Sequence, residues 1–144
     1  MTRPTYITAM GILAFVGFLL AVTAYQLWWP IKPITVNEVK IISKEVRAGG
    51  ELKYYVDATK HMNLPAMVVR QLINDTVITL APSWSHVPMG RTMMMVSLTV
   101  PINVHPGRYK LSTSYTYEIN SFRTITNRWE TEYFTVLPPE KGKQ

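Results

Sequence analysis

The chain has 144 residues, no cysteine and a formal net charge of +6, with 15 Lys plus Arg against 9 Asp plus Glu. Without cysteine, a disulfide framework, a thiolate metal site and a cysteine nucleophile are all excluded. The basic residues are scattered along the chain with no run of five. Because nucleic-acid-binding proteins usually cluster their charge, this pattern does not favour nucleic acid as a partner.

The first predicted element is a membrane-spanning helix over residues 6–29, which follows a short tail, residues 1–5. Its 24 residues carry no charge and would form roughly 36 Å of helix, enough to cross a hydrocarbon core of about 30 Å. Pro30 and Pro33 then end the helix and predict an extended exit linker over residues 30–33. Aromatic rings prefer the headgroup level of a bilayer. Four such rings are predicted membrane-interface residues at the two ends of the helix: Tyr6, Tyr25, Trp28 and Trp29.

The alternative to a retained anchor is a secretory signal that is cleaved. Val22 and Ala24 are small residues at the positions that a signal peptidase reads before Tyr25. Against cleavage, the apolar run is longer than the usual signal core of about 7–15 residues, and only one arginine precedes it. Flanking lysines, counted alone, would keep the following domain in the cytoplasm. A short N-terminal tail before a β domain is, however, typical of exported proteins, so we interpret the domain as lying on the outer side.

Small residues recur along one face of the predicted helix. They follow three-four-three spacing: Ala14, Gly17, Ala21 and Ala24. Gly17 and Ala21 form a small-xxx-small pair that allows close approach of a second backbone. This pattern predicts association with a second copy or with another membrane helix, although Gly and Ala are also common in spans that do not associate.

After Pro33 the hydrophobic period becomes that of strands. Apolar residues alternate most clearly over residues 51–60, 91–100 and 108–119. Further strands are predicted over residues 34–43, 66–73 and 129–137, and residues 74–80 are predicted as a turn followed by a strand. A turn is predicted at "EVRAGG", a loop over residues 81–90, and a loop or hairpin over residues 120–128. Short strands with frequent turns predict a mainly β domain over residues 34–137, a sandwich of seven or eight antiparallel strands. Residues 138–144 are predicted as a polar C-terminal tail.

Two corners of this pattern resemble known domains. The stretch "VRAGGELKYYVD" resembles the corner between the first two strands of immunoglobulin-like and fibronectin-III-like domains, and "VPINVHPGRYKL" resembles their corner between strands E and F. The second resemblance implies that the hydroxyl of Tyr109 bonds back to the preceding loop. The cysteine pair of antibody domains is absent.

The whole layout resembles a class of small single-pass membrane proteins of bacteria and their phages. These share one N-terminal helix, a Trp/Pro exit, and a hairpin that reads "FRTITNRWETEYFTV" here. The resemblance implies a bacterial or phage protein with an immunoglobulin-like domain. It implies no activity.

Residues that could carry chemistry are sparse. No histidine is paired at helical spacing or has an acidic neighbour at ligand spacing, and no serine lies in a nucleophile elbow. We therefore predict no catalytic residue, no metal site and no cofactor. Met93–Met95 cannot converge on one ion because neighbouring strand residues point to opposite faces, so we expect Met94 in the core and the other two at the surface. Partner-binding candidates are the aromatic residues of loops: Trp84, Phe122 and Trp129. For each of the three the alternative is a hydrophobic lid over one end of the core.

These observations predict a non-enzymatic, membrane-anchored interaction module. It would be an accessory or structural subunit of a membrane or phage-associated assembly, and it would bind a protein partner through loops, strand edges and the helix. The alternative is a membrane-tethered, envelope-active enzyme, which would need a cleft with convergent carboxylates or histidines.

Overall fold

The computed structural model describes residues 3–141 and divides them into two compact units. The first unit comprises residues 3–31 together with Asn120–Arg123, here called the hairpin tip; the second comprises residues 32–119 and 124–141. The elements in chain order are α1 (Arg3–Trp28), β1 (Ile34–Ile41), β2 (Glu45–Arg47), β3 (Glu51–Lys60), β4 (Ala66–Ile73), β5 (Val77–Thr79), β6 (Ser83–Ser85), β7 (Gly90–Thr99), β8 (Gly107–Asn120), β9 (Arg123–Glu130) and β10 (Phe134–Leu137).

The prediction of one N-terminal helix is confirmed: α1 is long and apolar enough to span a membrane. It begins at Arg3, three residues earlier than the predicted span, and residues 1–2 lie outside the described residues. Pro4 suits the first turn, where a backbone N–H has no helical acceptor. The helix ends at Trp28 because Pro30 disfavours helical geometry in the residue before it. None of its described side chains is buried.

The first sheet contains three antiparallel strands in the order β1-β3-β7. Strand β3 is central: Leu52, Tyr54, Val56 and Ala58 are buried on one face, as their alternation predicts. The register between β1 and β3 shifts by one residue between Val36 and Glu38, which is a β-bulge in the edge strand.

The second sheet has the order β2-β10-β8-β4-β5, with β6 also paired to β4 and β9 also paired to β8. It is mixed, because β2 and β10 are parallel, so the predicted all-antiparallel arrangement is wrong at this edge. Residues 45–47 were expected in a turn; they form a strand because the chain leaves β1 and then runs along β10. Two backbone hydrogen bonds hold β2 beside β10: Thr135 N donates to Lys44 O, and Ala48 N donates to Leu137 O. Val46 of β2 is buried.

Buried side chains from both sheets form one hydrophobic core. Its largest fully buried members are Tyr54 and Leu52 from the first sheet and Leu72, Tyr109, Leu111 and Phe134 from the second. No described residue of α1 belongs to this cluster. The second unit therefore contains its own core.

The predicted strand pattern fails in three further places. The described residues contain ten strands, where seven or eight were expected. Residues 83–85 lie in the predicted loop but form β6. The predicted loop or hairpin over residues 120–128 is confirmed as a hairpin, in which residues 121–122 form the turn between β8 and its partner β9. The predicted strand 129–137 is interrupted at residues 131–133, because Thr131 bonds to Leu111 through both its backbone N–H and its hydroxyl. No strand is assigned over residues 138–141, and residues 142–144 of the predicted tail lie outside the described residues.

Candidate functional site

Asp57 is a buried carboxylate on the face of the first sheet that points away from the core. Arg91 donates to both of its oxygens, from Nε to Oδ1 at 3.1 Å and from Nη2 to Oδ2 at 2.7 Å, and Asn37 donates from Nδ2 at 3.4 Å. The hydrogen bonds from Arg91, more than any other cause, hold the pKa of Asp57 below its ordinary value. A carboxylate that already accepts these bonds is ionised and occupied, so it is poorly suited to act as a general base.

Lys60 is the other buried charged side chain of note, and it lies at the end of β3. Its Nζ donates to the carbonyl oxygen of Val87 at 2.7 Å, and burial lowers its pKa. Lys60 lines a cavity of about 10 Å³ that Tyr115 and Tyr117 also line. Burial raises the pKa of Tyr115 to about 12 and also raises that of Tyr117. A space of this size holds about one water, so this cavity has no room for a substrate.

The histidines and acids do not converge anywhere in the part of the chain that the structure describes. No group of three or more His, Cys, Asp or Glu residues is placed there to hold a metal ion. His61 Nε2 lies 2.9 Å from the hydroxyl of Thr35, and the carbonyl of His105 accepts a bond from the Tyr109 hydroxyl at 2.9 Å. The latter bond is the one that the "VPINVHPGRYKL" corner predicts, and it is confirmed.

The three predicted partner-binding aromatics lie in different surroundings. Trp84 is 62% exposed on β6, so it is not a lid over the core. Phe122 is 81% exposed in the hairpin tip, and thus belongs to a different unit from Trp84. Trp129 is only 9% exposed, and its ring packs against Tyr54 and Tyr115 at centroid distances of 5.9 and 6.4 Å. The partner-binding prediction for Trp129 is therefore wrong, and the alternative, contact with the core, agrees with its burial, because β9 turns this ring inward.

Strands β1 and β9 line an open cleft, which we call the β1–β9 seam. Strand β1 pairs on one side with β3, and β9 pairs on one side with β8; the described residues supply no strand for the second edge of either. The cleft has a volume of about 520 Å³ and is lined by Ile34, residues 36–39 and residues 126–130. The side chain of Asn127 crosses it and donates from Nδ2 to the carbonyl oxygen of Ile34 at 3.2 Å.

The backbone of β1 presents hydrogen-bonding groups to this seam. The carbonyl of Pro33 accepts from His61 N at 2.8 Å, so Pro33 faces the next strand of its own sheet. Because hydrogen-bonding direction alternates along an antiparallel strand, the backbone groups of Ile34 and Val36 face the seam. Trp129 also lines the seam, and its buried Nε1 has no hydrogen-bond partner among the described residues. Sequence reasoning missed the seam because strand edges depend on which strands pair.

In the first unit the hairpin tip contacts the C-terminal end of α1. Arg123 Nη1 donates to the carbonyl oxygen of Trp29 at 2.6 Å and, more weakly, to that of Gln26 at 3.4 Å. Gln26 belongs to the last turn of α1, where carbonyl groups lack helical donors, and Trp29 directly follows the helix. Phe122 lies beside Leu27 and, with Thr23 and Gln26, lines a shallow groove of about 200 Å³. Sequence reasoning missed Arg123, because its acceptor Trp29 lies 94 residues away in the chain.

The remaining sequence predictions concern exposed residues. Met93 and Met95 are 58% and 65% exposed while Met94 packs against the core, which confirms their alternation. On the helix, a Cβ added to Gly17 would meet no atom within 4 Å, so that part of the small-residue face is open in the described chain. Tyr6, Tyr25, Trp28 and Trp29 are all more than half exposed, and the rings of Tyr25 and Trp29 are 5.0 Å apart. Helix association and the membrane-interface roles stay predictions.

Comparison with known proteins yields weak structural likenesses alone. No family model and no curated protein matches the chain. Among solved structures, the alkylpurine DNA glycosylase AlkC of Pseudomonas fluorescens, bound to DNA containing an abasic site analogue, is 8% identical with a TM-score of 0.43, over 75% of this chain and 31% of that one. A β-glucosidase from Listeria innocua is 12% identical with a TM-score of 0.36, over 74% and 16%. The chain thus spans less than a third of these proteins, and neither likeness bears on its function.

Proposed function

We propose that the protein is a non-enzymatic, membrane-anchored interaction module, an accessory or structural subunit of a membrane or phage-associated assembly. In this proposal α1 anchors the chain in a bilayer and the β domain, on the outer side, binds a protein partner. The anchor is supported by a helix of 26 residues with no buried side chain, whose apolar surface must be covered by lipid or by protein. The bacterial or phage setting is supported by the layout alone.

The proposed domain type is an immunoglobulin-like sandwich. Two observations support it: the strand orders β1-β3-β7 and β10-β8-β4, which correspond to the two sheets of such domains, and the bond from the Tyr109 hydroxyl to the His105 carbonyl near the start of β8. Domains of this architecture host many functions, so the proposed function depends on the surface of this chain and not on the architecture.

The observation that carries the proposal is the β1–β9 seam. Two strand edges that have no partner strand among residues 3–141 border one cleft. Unpaired edge groups can bind an additional extended segment through main-chain hydrogen bonds. Apolar side chains of Ile34, Val36 and Val39 line the cleft beside Glu38 and Arg128, so a bound strand would meet both apolar and charged neighbours. We therefore propose an extended segment of a partner protein as the ligand of the seam.

The test is site-specific photo-crosslinking of the full chain in its native membrane. A photoreactive residue replaces Thr126 or Glu38, which are exposed on the two sides of the seam, and in separate variants it replaces Val77 or Met93, which are exposed elsewhere. We expect one adduct of the same mass from both seam positions and little from the other two. Equal adducts from all four positions, or adducts from Val77 and Met93 alone, would contradict the proposal.

A blocking variant makes the test specific for strand pairing. Natural proteins protect free edges with lysine, so Thr126→Lys should abolish the adduct formed by the probe at position 38. Val77→Lys places the same side chain on the short strand β5 and should leave that adduct unchanged. An adduct that survives Thr126→Lys would point to a partner that binds outside the seam.

A further inference from the structure

Phe122, the exposed aromatic residue of the hairpin tip, lies beside the C-terminal part of α1. Phe122 borders Thr23 and Leu27, and Thr23 precedes the last helical residue by five positions, or about 7.5 Å along the axis. Tyr25, one of the predicted interface residues, falls between these neighbours. A bilayer whose interface coincides with the aromatic end of α1 would therefore reach Phe122 as well.

The helix does not cover this ring. Phe122 is 81% exposed although it borders a groove with Leu27, so the described residues leave most of this aromatic side chain uncovered. The hairpin tip itself is polar at its start: the Asn120 side chain accepts from the backbone N–H of Phe122 at 2.9 Å, which forms a local turn and leaves the ring at its outer end.

Arg123 holds the hairpin tip at this level. Its guanidinium donates to the carbonyls of Trp29 and Gln26, so it supplies donors to a helix end that lacks them. A cation at a helix C-terminus is also favoured by the helix dipole, and both effects are stronger where water is scarce. An arginine beside an aromatic ring at the end of a membrane helix is a combination suited to the headgroup region.

We propose that the hairpin tip is a second membrane contact, in which Phe122 inserts into the lipid interface beside α1 and Arg123 fixes its position. The ligand is the lipid surface itself, and Phe122 is thereby removed from the protein-binding candidates. This inference rests on the proposed anchoring by α1. It is independent of the β1–β9 seam.

The test uses the full chain, whose lack of cysteine permits a single labelled cysteine at any chosen position. Phe122→Cys, Ile102→Cys and Leu20→Cys variants carry an environment-sensitive fluorophore and are reconstituted into phosphatidylcholine–phosphatidylglycerol vesicles with spin-labelled lipids that quench it. Ile102 is a matched control because it is an exposed apolar residue, 59% accessible, in a turn of the second unit. Leu20 lies within α1 and reports on the anchor.

The inference predicts clearly stronger lipid quenching at position 122 than at position 102, because the side chain at 122 lies at the headgroup boundary. Quenching at 20 with equal, weak quenching at 122 and 102 would overturn the inference and leave the anchor intact. The absence of quenching at 20 would overturn the anchor and the inference together.

A second variant tests the role assigned to Arg123. Arg123→Gln, placed in the chain labelled at position 122, should reduce the quenching there towards the level at position 102. Arg128→Gln removes an arginine of the same strand that bonds Ser112 and Glu130 instead, and it should leave the quenching unchanged. Quenching at 122 that is insensitive to Arg123→Gln would overturn the proposed positioning role.

Discussion

At the scale of single residues, buried polar groups are the most sensitive points of this chain. Asp57 has a side-chain exposure of 6% and depends on Arg91, which is 61% exposed and crosses from the neighbouring strand β7. A buried carboxylate that loses its cation keeps the cost of its desolvation without the compensating hydrogen bonds. Surface pairs such as Lys110 with Glu130, at 2.7 Å, contribute much less because both partners remain hydrated.

Arg91→Ala should therefore lower the midpoint of thermal unfolding clearly more than Lys110→Ala does. The hydrogen bonds from Arg91 lower the pKa of Asp57 in the folded chain below its ordinary value of 3.8. The stability that these bonds give the fold is therefore fully present above pH 3.8, and it is lost as the pH falls through the lower pKa of the folded state. Circular dichroism of the full chain in detergent at neutral and acidic pH measures both effects. An Arg91→Ala variant as stable as Lys110→Ala at neutral pH would contradict this account.

At the scale of elements, the junction between β9 and β10 determines how the last part of the chain enters the second sheet. The hydroxyl of Thr131 accepts from Leu111 N at 3.0 Å and donates to the carbonyl of Glu132 at 2.9 Å, and Thr131 is only 7% exposed. This bonding ends β9 and allows β10 to pair with the first residues of β8 at Tyr109 and with β2 on its other side.

Thr131→Val should destabilise the second unit by about 1–3 kcal/mol, because the nearly isosteric side chain leaves the buried Leu111 N–H without its acceptor. Thr131→Ser keeps the hydroxyl and is the matched control, which should retain most of the stability. Thermal unfolding followed by near-ultraviolet circular dichroism compares the three chains. Equal stability of the valine and wild-type chains would show that the hydroxyl is not needed at this junction.

At the scale of the whole molecule, the two units differ in what covers their apolar residues. The second unit encloses its own core, to which α1 contributes no described residue. Helix α1 buries no described side chain, and its large apolar residues, such as Phe15, Phe18 and Leu20, are each more than 60% exposed. Stability of the β domain and membrane anchoring should therefore be separable.

A chain that begins at Lys32 should fold without α1. We expect it to keep the near-ultraviolet signal of the packed Trp129 and Tyr54 rings, and to unfold cooperatively with a midpoint within a few degrees of that of the full chain in detergent. The measurement is thermal unfolding of both chains by circular dichroism. Loss of the near-ultraviolet signal with retained strand content would show that the domain needs the helix.

The amino-acid sequence by itself determined the features that depend on local order. A run of 24 uncharged residues bounded by Pro30 establishes an apolar helix, and strict alternation in β3 and β7 assigns Leu52, Tyr54 and Met94 to one face and Met93 to the other. The Tyr109 corner was equally predictable, since its acceptor, the His105 carbonyl, lies four residues away. Periodicity and short-range hydrogen bonds leave a direct trace in the sequence.

Only the tertiary structure decided which distant segments meet. The parallel pairing of β2 with β10 and the bond from Arg123 to Trp29 each join residues that are about 90 positions apart. The burial of Trp129 depends on which face of β9 points inward, and the local pattern does not assign that face. The β1–β9 seam exists because both strands are left at edges, and an edge is a property of the complete pairing order. Each of these features depends on long-range contacts, which local periodicity does not encode.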